Sequence, residues 1–68
     1  MSGQLSNRLR DAREELNLTQ AQLAEAVGVS RKTINTVENG VFVPSTVLAL
    51  KLARALGKPV ERLFALIE

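Results

Sequence analysis

The stretch from residue 19 to residue 40, TQAQLAEAVGVSRKTINTVENG, constrains the fold of this chain more than any other. It predicts two short helices joined by a tight turn. Thr19 precedes the first helix and Gln22 follows three residues later, a pairing that satisfies two backbone donors at a helix start. Gly28 can adopt a positive φ, so it can end that helix and turn the chain sharply. Ser30 is then placed to cap the second helix.

The second helix has a narrow apolar stripe. Ile34 and Val37 are its only large apolar residues, and their spacing of three places them on one face. Because a helix turns by about 100° per residue, Lys32 and Thr36 point most directly away from that face. We therefore expect its other residues to be free to meet a partner, although a helix of this pattern in isolation could simply present a solvated face.

These residues resemble the helix-turn-helix of the phage-repressor family of DNA-binding domains, also called lambda repressor-like, Cro/C1-type or XRE. The shared positions are Thr19-Gln20, Leu23-Ala24, Gly28-Val29-Ser30, Thr33-Ile34 and Glu38-Asn39-Gly40. An ordinary helical hairpin would not need so many of these positions at once. The resemblance implies an all-α fold: a compact bundle of about five short helices, with the helix-turn-helix at the second and third. We expect one domain over residues 1–68.

The resemblance also implies which side chains contact double-stranded DNA. The base-reading positions of the family correspond to Arg31, Lys32, Asn35 and Thr36. Arg and Lys can donate to guanine, Asn can pair with adenine, and the Thr methyl group can meet a thymine methyl group. For the DNA backbone, the family positions correspond to Gln20 and Asn39, and we add Thr33 and Arg10 as further candidates.

The first helix is expected from an apolar stripe at helical spacing, formed by Leu5, Leu9, Ala12 and Leu16, over roughly three turns. Ser2 is a plausible cap, and Asn17 tolerates the left-handed conformation that ends a helix. Arg13 flanks the stripe, and Glu38 lies at the inner edge of the helix after the turn. The family commonly joins these two positions, so we predict a structural ion pair between them. The alternative is two solvated charges of little energetic value.

The loop Val41 to Pro44 departs from the family, in which many members carry a basic residue and a polar residue that reach the DNA. Valine cannot donate a hydrogen bond. Either this loop makes fewer contacts, the alternative that the sequence favours, or a valine packs on a thymine methyl group. Phe42 is expected in the core, because aromatic residues make up only 3% of the chain and the fold needs a large side chain here.

The last third of the chain is rich in apolar residues. Ser45 is expected to cap a helix over residues 46–56 that is buried on most sides, with Lys51 and Arg54 marking its solvent stripe and Gly57 ending it. Residues 60–67 could form a fifth short helix or an extended strand. Related regulators dimerise through this segment, so we interpret four of its residues as core plus dimer interface: Leu63, Phe64, Leu66 and Ile67.

Composition narrows the possible functions. The chain of 68 residues has no Cys and no His, which argues against disulfides, imidazole catalysis and the common zinc sites. We expect no cofactor, no metal, no signal peptide and no membrane association, and therefore a cytoplasmic location. Nine basic and seven acidic residues give a net charge of +2, which permits nucleic-acid binding without requiring it.

The sequence therefore predicts a DNA-binding transcriptional regulator. We expect a homodimer that presents two recognition helices to successive major grooves, about 34 Å apart, on a roughly palindromic operator. Repression would follow where the operator overlaps a promoter, and the short chain leaves no room for a separate ligand-sensing domain. The alternative is an antitoxin or adaptor of the same fold that acts mainly through a protein partner. An enzyme is a poor third reading, because Glu14-Glu15 are the only adjacent acids and lie on a solvated helical face.

Overall fold

The computed structural model describes residues 5–67, so the proposed cap at Ser2 lies outside the described residues. Within this range the chain forms five helices and one antiparallel pair of short strands. In chain order the elements are β1 (Leu5–Asn7), α1 (Leu9–Glu15), α2 (Gln20–Val27), α3 (Arg31–Glu38), α4 (Thr46–Leu56), α5 (Val60–Leu63) and β2 (Phe64–Leu66). The helix-turn-helix therefore occupies α2 and α3.

The ends of α2 and α3 follow the expected local chemistry. The Thr19 hydroxyl accepts from the Gln22 backbone N–H at 3.0 Å, and the Gln22 side chain accepts from the Thr19 N–H at 2.8 Å. Gly28 ends α2 with a φ of 78° in the left-handed region, where a side chain would be strained. Ser30 then caps α3 by accepting from the Thr33 N–H at 3.1 Å. These hydrogen bonds fix the angle at which α3 leaves the turn.

The beginning of the chain differs from the prediction, because Leu5–Asn7 is a strand and α1 begins only at Leu9. Asn7 separates the two elements: its side-chain oxygen accepts from the Leu9 N–H at 3.1 Å, and its amide donates to the Val37 carbonyl at 3.0 Å. The predicted helix is thus shorter at its start. Leu16, expected in the buried stripe, is 49% exposed just after α1, whereas Asn17 has the expected positive φ of 57°.

The final segment contains both alternatives that the sequence left open. Val60–Leu63 is one helical turn, and Phe64–Leu66 is a strand that pairs antiparallel with β1. Leu5 lies opposite Leu66 in this pairing. The Arg8 N–H donates to the Leu63 carbonyl at 2.8 Å, which extends the connection between the two ends of the chain. The fold is therefore mainly helical, with a small sheet that joins its termini.

One hydrophobic core holds the helices together. Its largest fully buried side chains come from α1, α2, α3, α4 and α5: Leu9, Leu23, Ile34, Val37, Leu52 and Leu63. Leu63, which the sequence assigned to core plus dimer interface, is 1% exposed and belongs to the core. Among residues 5–67, no helix is long and apolar enough to cross a membrane.

Two further expectations about burial are wrong. Phe42 is 48% exposed, because the backbone N–H groups of Val41 and Phe42 both donate to the Thr36 carbonyl and hold the loop along the outer edge of α3. Helix α4 is less buried than its composition suggests, since Val47 and Leu50 are both more than half exposed. Its buried face is formed by four residues at helical spacing: Leu48, Leu52, Ala53 and Leu56.

Candidate nucleic-acid interface

Helix α3 presents a polar face to solvent and an apolar face to the core. Ile34 and Val37 are both fully buried, which fixes the rotation of the helix about its axis. Arg31, Lys32 and Asn35 are exposed on the opposite side. A short helix with this division can enter a groove with its polar side chains while the domain holds it from behind.

The two threonines of α3 are partly satisfied within the helix. The Thr36 hydroxyl donates to the Thr33 carbonyl at 2.9 Å, so its proton is already used. The Thr33 hydroxyl lies 3.0 Å from that of Ser30 at the start of the helix. Both residues are half-buried. A partner of α3 would therefore meet mainly the methyl group of Thr36, because its hydroxyl already donates within the helix.

Arg13 and Glu38 form the ion pair that the sequence predicted, and the distance between Arg13 Nε and Glu38 Oε2 is 2.6 Å. The Glu38 side chain has no exposed surface, and the Arg13 side chain is 11% exposed. Arg13 also donates to the Leu18 carbonyl at 2.7 Å, so it fixes the connection between α1 and α2. Because this pair is largely removed from water, loss of either partner would leave a buried charge uncompensated and would lower the free energy of unfolding.

The Glu38 carboxylate is also the centre of a wider network. Its Oε1 atom accepts from Gln20 Nε2 at 3.0 Å and from Arg10 Nε at 3.3 Å, in addition to a second bond from Arg13. These donors come from α1 and α2, whereas Glu38 ends α3. The carboxylate therefore joins the three helices that define the orientation of the helix-turn-helix.

This network determines the protonation of both partners. Burial by itself raises the pKa of Glu38, but the hydrogen bonds from Arg13, Gln20 and Arg10, together with the charge of Arg13, outweigh burial and hold the pKa below its ordinary value of 4.5. The hydrogen bond to Glu38, against the opposing effect of burial, raises the pKa of Arg13 above its ordinary value. Both groups are charged at neutral pH.

The same network gathers most of the side chains expected at the DNA backbone. Arg10 Nη2 donates to Asn39 Oδ1 at 2.8 Å, and Asn39 Nδ2 donates to Asn35 Oδ1 at 2.9 Å. Gln20 Nε2 lies 3.4 Å from the same Asn35 oxygen. Arg10, Gln20, Asn35 and Asn39 thus form one chain of hydrogen bonds along one edge of α3. Arg31 and Lys32, by contrast, lie outside this network.

Sequence reasoning missed two features of this surface. It identified Glu38 only as the partner of Arg13, although Arg10 lies three residues before Arg13 and so shares its helical face. It also underestimated the exposure of the loop after α3. Val41 is 77% exposed beside α3, where a shallow surface cavity is lined by Lys32, Thr33, Thr36, Val41 and Phe42.

A recognition helix held behind a tight turn, with cations and amides on its free face, defines a DNA-binding domain of the helix-turn-helix class. The family model described as helix-turn-helix (HTH_3) matches residues 9–63. The protein belongs to this helix-turn-helix family, of the Cro/C1 type. Members of the family are DNA-binding transcriptional regulators and not enzymes.

Individual relatives agree with this assignment. The chain is 51% identical over 61 residues to an HTH-type transcriptional regulator of Methanothermobacter thermautotrophicus, and the match covers 88% of each chain. Among solved structures, the restriction-modification controller protein C.AhdI of Aeromonas hydrophila superposes with a TM-score of 0.77 at 38% identity, covering 81% of this chain and 83% of that one. The P22 c2 repressor, solved with a synthetic operator, also gives a TM-score of 0.77, at 33% identity, covering 79% of this chain and 82% of the repressor.

Proposed function

We propose that the protein is a repressor that binds a palindromic operator as a homodimer. Each protomer places α3 in the major groove, so that a two-fold dimer reads two half-sites about one helical turn apart. Repression follows where the operator overlaps a promoter. The protein acts on DNA in the cytoplasm and needs no cofactor for binding.

The observation that carries this proposal is the division of α3 into a buried apolar face and a free polar face. The free face includes Arg31, Lys32, Asn35 and Thr36, which we assign to contacts with bases. Arg31 and Lys32 suit the acceptors of guanine, and Asn35 suits adenine. Asn35 is already oriented by its hydrogen bond from Asn39, so less conformational freedom is lost when it meets a base.

Contacts with the DNA backbone are assigned to Arg10, Gln20, Thr33 and Asn39. The Glu38 carboxylate holds Arg10 and Gln20 from behind, and Arg10 in turn bonds to Asn39. The Arg10 side chain keeps 49% of its surface exposed, so its guanidinium can meet a phosphate without leaving the protein surface. Such contacts position α3 and carry no sequence information themselves.

The dimer is assigned to the end of the chain. Leu66, the last residue of β2, is 68% exposed, and Ile67, which follows it, is 52% exposed. With the half-buried Phe64, they add exposed apolar side chains at this end of the part of the chain that the structure describes. Within residues 5–67 the sheet has two strands, so each has one edge without a neighbouring strand, and such an edge favours pairing with a second copy. We therefore propose residues 64–67 as the dimerisation segment.

The first test is selection of bound duplexes from a random DNA pool at about 50 mM and about 200 mM salt, since phosphate contacts weaken with salt whereas base reading persists. An enriched palindrome at the higher salt supports the proposal. Binding without enrichment of any sequence would mean that the protein contacts only phosphates, and this result would contradict the proposal.

The dimer is tested by sedimentation of the Leu66→Lys variant. A lysine on each copy would bring like charges together, so we expect a monomer at micromolar concentration, whereas the wild-type chain is a dimer. Leu16→Lys is the matched control, because Leu16 is also about half exposed but lies after α1. A wild-type monomer, or a Leu66→Lys dimer, would contradict the assignment.

A second candidate function is an antitoxin or adaptor that acts mainly through another protein. The exposed side chains of Val41 and Val43 favour it, because apolar side chains beside α3 could pack on a protein surface as well as on DNA. Under this alternative, the random-pool selection yields no palindrome and a second protein copurifies in a defined ratio.

A further inference from the structure

The side of α3 that faces the following loop carries an apolar depression, which we call the α3 notch. It is lined by Lys32, Thr33, Thr36, Val41 and Phe42, and it lies beside the residues assigned to base reading. Val41 is 77% exposed, and Phe42 is about half exposed. An exposed valine and phenylalanine side by side at the edge of a recognition helix form an apolar contact surface suited to a partner.

The notch is held in place by the backbone. The N–H groups of Val41 and Phe42 donate to the Thr36 carbonyl at 3.0 and 3.2 Å. The Thr36 hydroxyl donates in turn to the Thr33 carbonyl. The start of the loop is thus tied to the last turns of α3 and keeps a fixed position relative to that helix.

The side chains that line the α3 notch indicate which kind of chemical group can occupy it. The Thr36 hydroxyl proton is used within the helix, so Thr36 presents mainly its methyl group, while the Thr33 hydroxyl lies 3.0 Å from that of Ser30. Val41 and Phe42 add further apolar surface. In the major groove, the apolar group on the base edges is the C5-methyl group of thymine.

The charge around the notch fits the same occupant. Lys32 is the only ionisable residue among the five that line it. No carboxylate of the lining therefore repels a phosphate, and the lysine can donate to a base or phosphate beside the methyl group. The notch is also continuous with the free face of α3, so both surfaces can contact one groove at once.

We propose that the α3 notch holds the C5-methyl group of one thymine in each half-site and thereby requires a methylated pyrimidine at that operator position. This inference rests on the proposed function, because it assumes that α3 enters the major groove. Of the two alternatives that the sequence left open for the valine-rich loop, it takes the less favoured one, in which a valine packs on a thymine methyl group, and adds the lining and the base position. In place of the basic and polar side chains of many family members, the loop would then contribute specificity at one base.

The test replaces each thymine of the selected operator, one position at a time, by deoxyuridine. This change deletes the C5-methyl group and leaves the hydrogen-bonding groups of the base intact. We expect one position per half-site at which binding weakens by about fourfold, and by about fifteenfold when both half-sites are changed, as for the loss of one buried methyl group each. The dissociation constants are measured by fluorescence anisotropy on full-length protein.

A variant connects the effect to the notch. In Val41→Ala, the ratio of the dissociation constants for the deoxyuridine and thymine operators should fall toward one, because the methyl group has lost its main contact. Val47→Ala is the matched control, since Val47 is 62% exposed on α4 and does not line the notch. Its ratio should equal that of the wild-type protein. Both valines are exposed, so neither change is expected to disturb folding.

A second pair of duplexes tests the methyl group independently of thymine. At the same position, 5-methylcytosine should bind more tightly than cytosine, since the two bases differ only in the C5-methyl group. Insensitivity of every thymine to deoxyuridine would overturn the inference, as would a methyl dependence that persists unchanged in Val41→Ala. Either result leaves the proposed function intact, because the operator is still bound. Failure to select any operator would overturn both.

Discussion

The two edges of α3 are built in opposite ways. On the edge toward α1 and α2, Arg10, Gln20, Asn35 and Asn39 are joined by hydrogen bonds around the buried Glu38 carboxylate. The edge toward the following loop is apolar and exposed, with Val41 projecting into solvent. One short helix therefore separates a polar surface with internal hydrogen bonds from an exposed apolar surface.

This difference indicates that the two edges of α3 have different roles in DNA binding. Side chains held by a buried charge keep a fixed geometry, which suits contacts that set the position of the domain on DNA. Exposed apolar side chains form few directional contacts, and their value depends on the shape and chemistry of what covers them. We infer that the polar edge positions α3 and that the apolar edge contributes to its choice of sequence.

The largest effect is expected at the centre of the polar edge. Glu38→Ala leaves the largely buried Arg13 guanidinium without its partner, and we expect the free energy of unfolding to fall by about 3 kcal/mol. Urea denaturation monitored by circular dichroism measures this change. For a domain of this size such a loss is a large part of the total stability.

Glu14→Ala is the control for that experiment. Glu14 lies 4.0 Å from Arg13, but its side chain is 62% exposed. Its removal should change the free energy of unfolding by no more than about 0.5 kcal/mol. If the two variants were equally stable, the buried network would not be what holds α3 in position.

The next largest effect is expected from Lys32, which lies outside the polar network and lines the α3 notch. Lys32→Ala should weaken binding to the selected operator by about tenfold or more, the value of one good base contact, while the unfolding curve stays unchanged. Lys51→Ala, a change at an exposed lysine of α4, should leave operator binding nearly unchanged. If both variants bound the operator equally well, this part of α3 would not belong to the DNA interface.

The polar edge should also make stability depend on pH. Because the pKa of Glu38 is lower in the folded chain than its ordinary value of 4.5, the carboxylate stabilises the fold above that value. This contribution is lost as the pH falls through the folded pKa. Below pH 4.5 the free energy of unfolding should therefore decrease more steeply for the wild-type protein than for Glu38→Gln, which has no carboxyl group to titrate. Urea denaturation of both proteins at a series of pH values measures this dependence. Identical slopes of the free energy of unfolding against pH would contradict the prediction.

The sequence was sufficient to predict the parts of the fold whose constraints are local. The Thr19 capping box, the left-handed Gly28 and the Ser30 cap each involve residues within a few positions, so their chemistry is visible in the chain itself. The Arg13–Glu38 pair was also predictable, because the spacing places both charges at the edges of apolar stripes and the family resemblance supports joining them.

The features that were missed depend on residues far apart in the chain. The spacing of Leu5 and Leu9 fits a helix, yet Leu5 pairs with Leu66 in a sheet, and sequence periodicity contains no information about that partner. The prediction that Phe42 lies in the core was wrong, because composition shows that a core needs large side chains but does not show which positions supply them. At the polar edge, Gln20 and Arg10 meet only because three helices converge on one carboxylate.

The smallest effect concerns what the polar edge contributes to binding. Arg10→Ala removes one charge that we assign to a phosphate, so the slope of log affinity against log salt should decrease in magnitude by about 0.9, equally for operator and unrelated DNA. Arg54→Ala, at an exposed arginine of α4, should leave the slope unchanged. A loss confined to the operator would instead mean that Arg10 acts through Asn39 and Asn35 on base reading, in which case the two edges of α3 would share the choice of sequence.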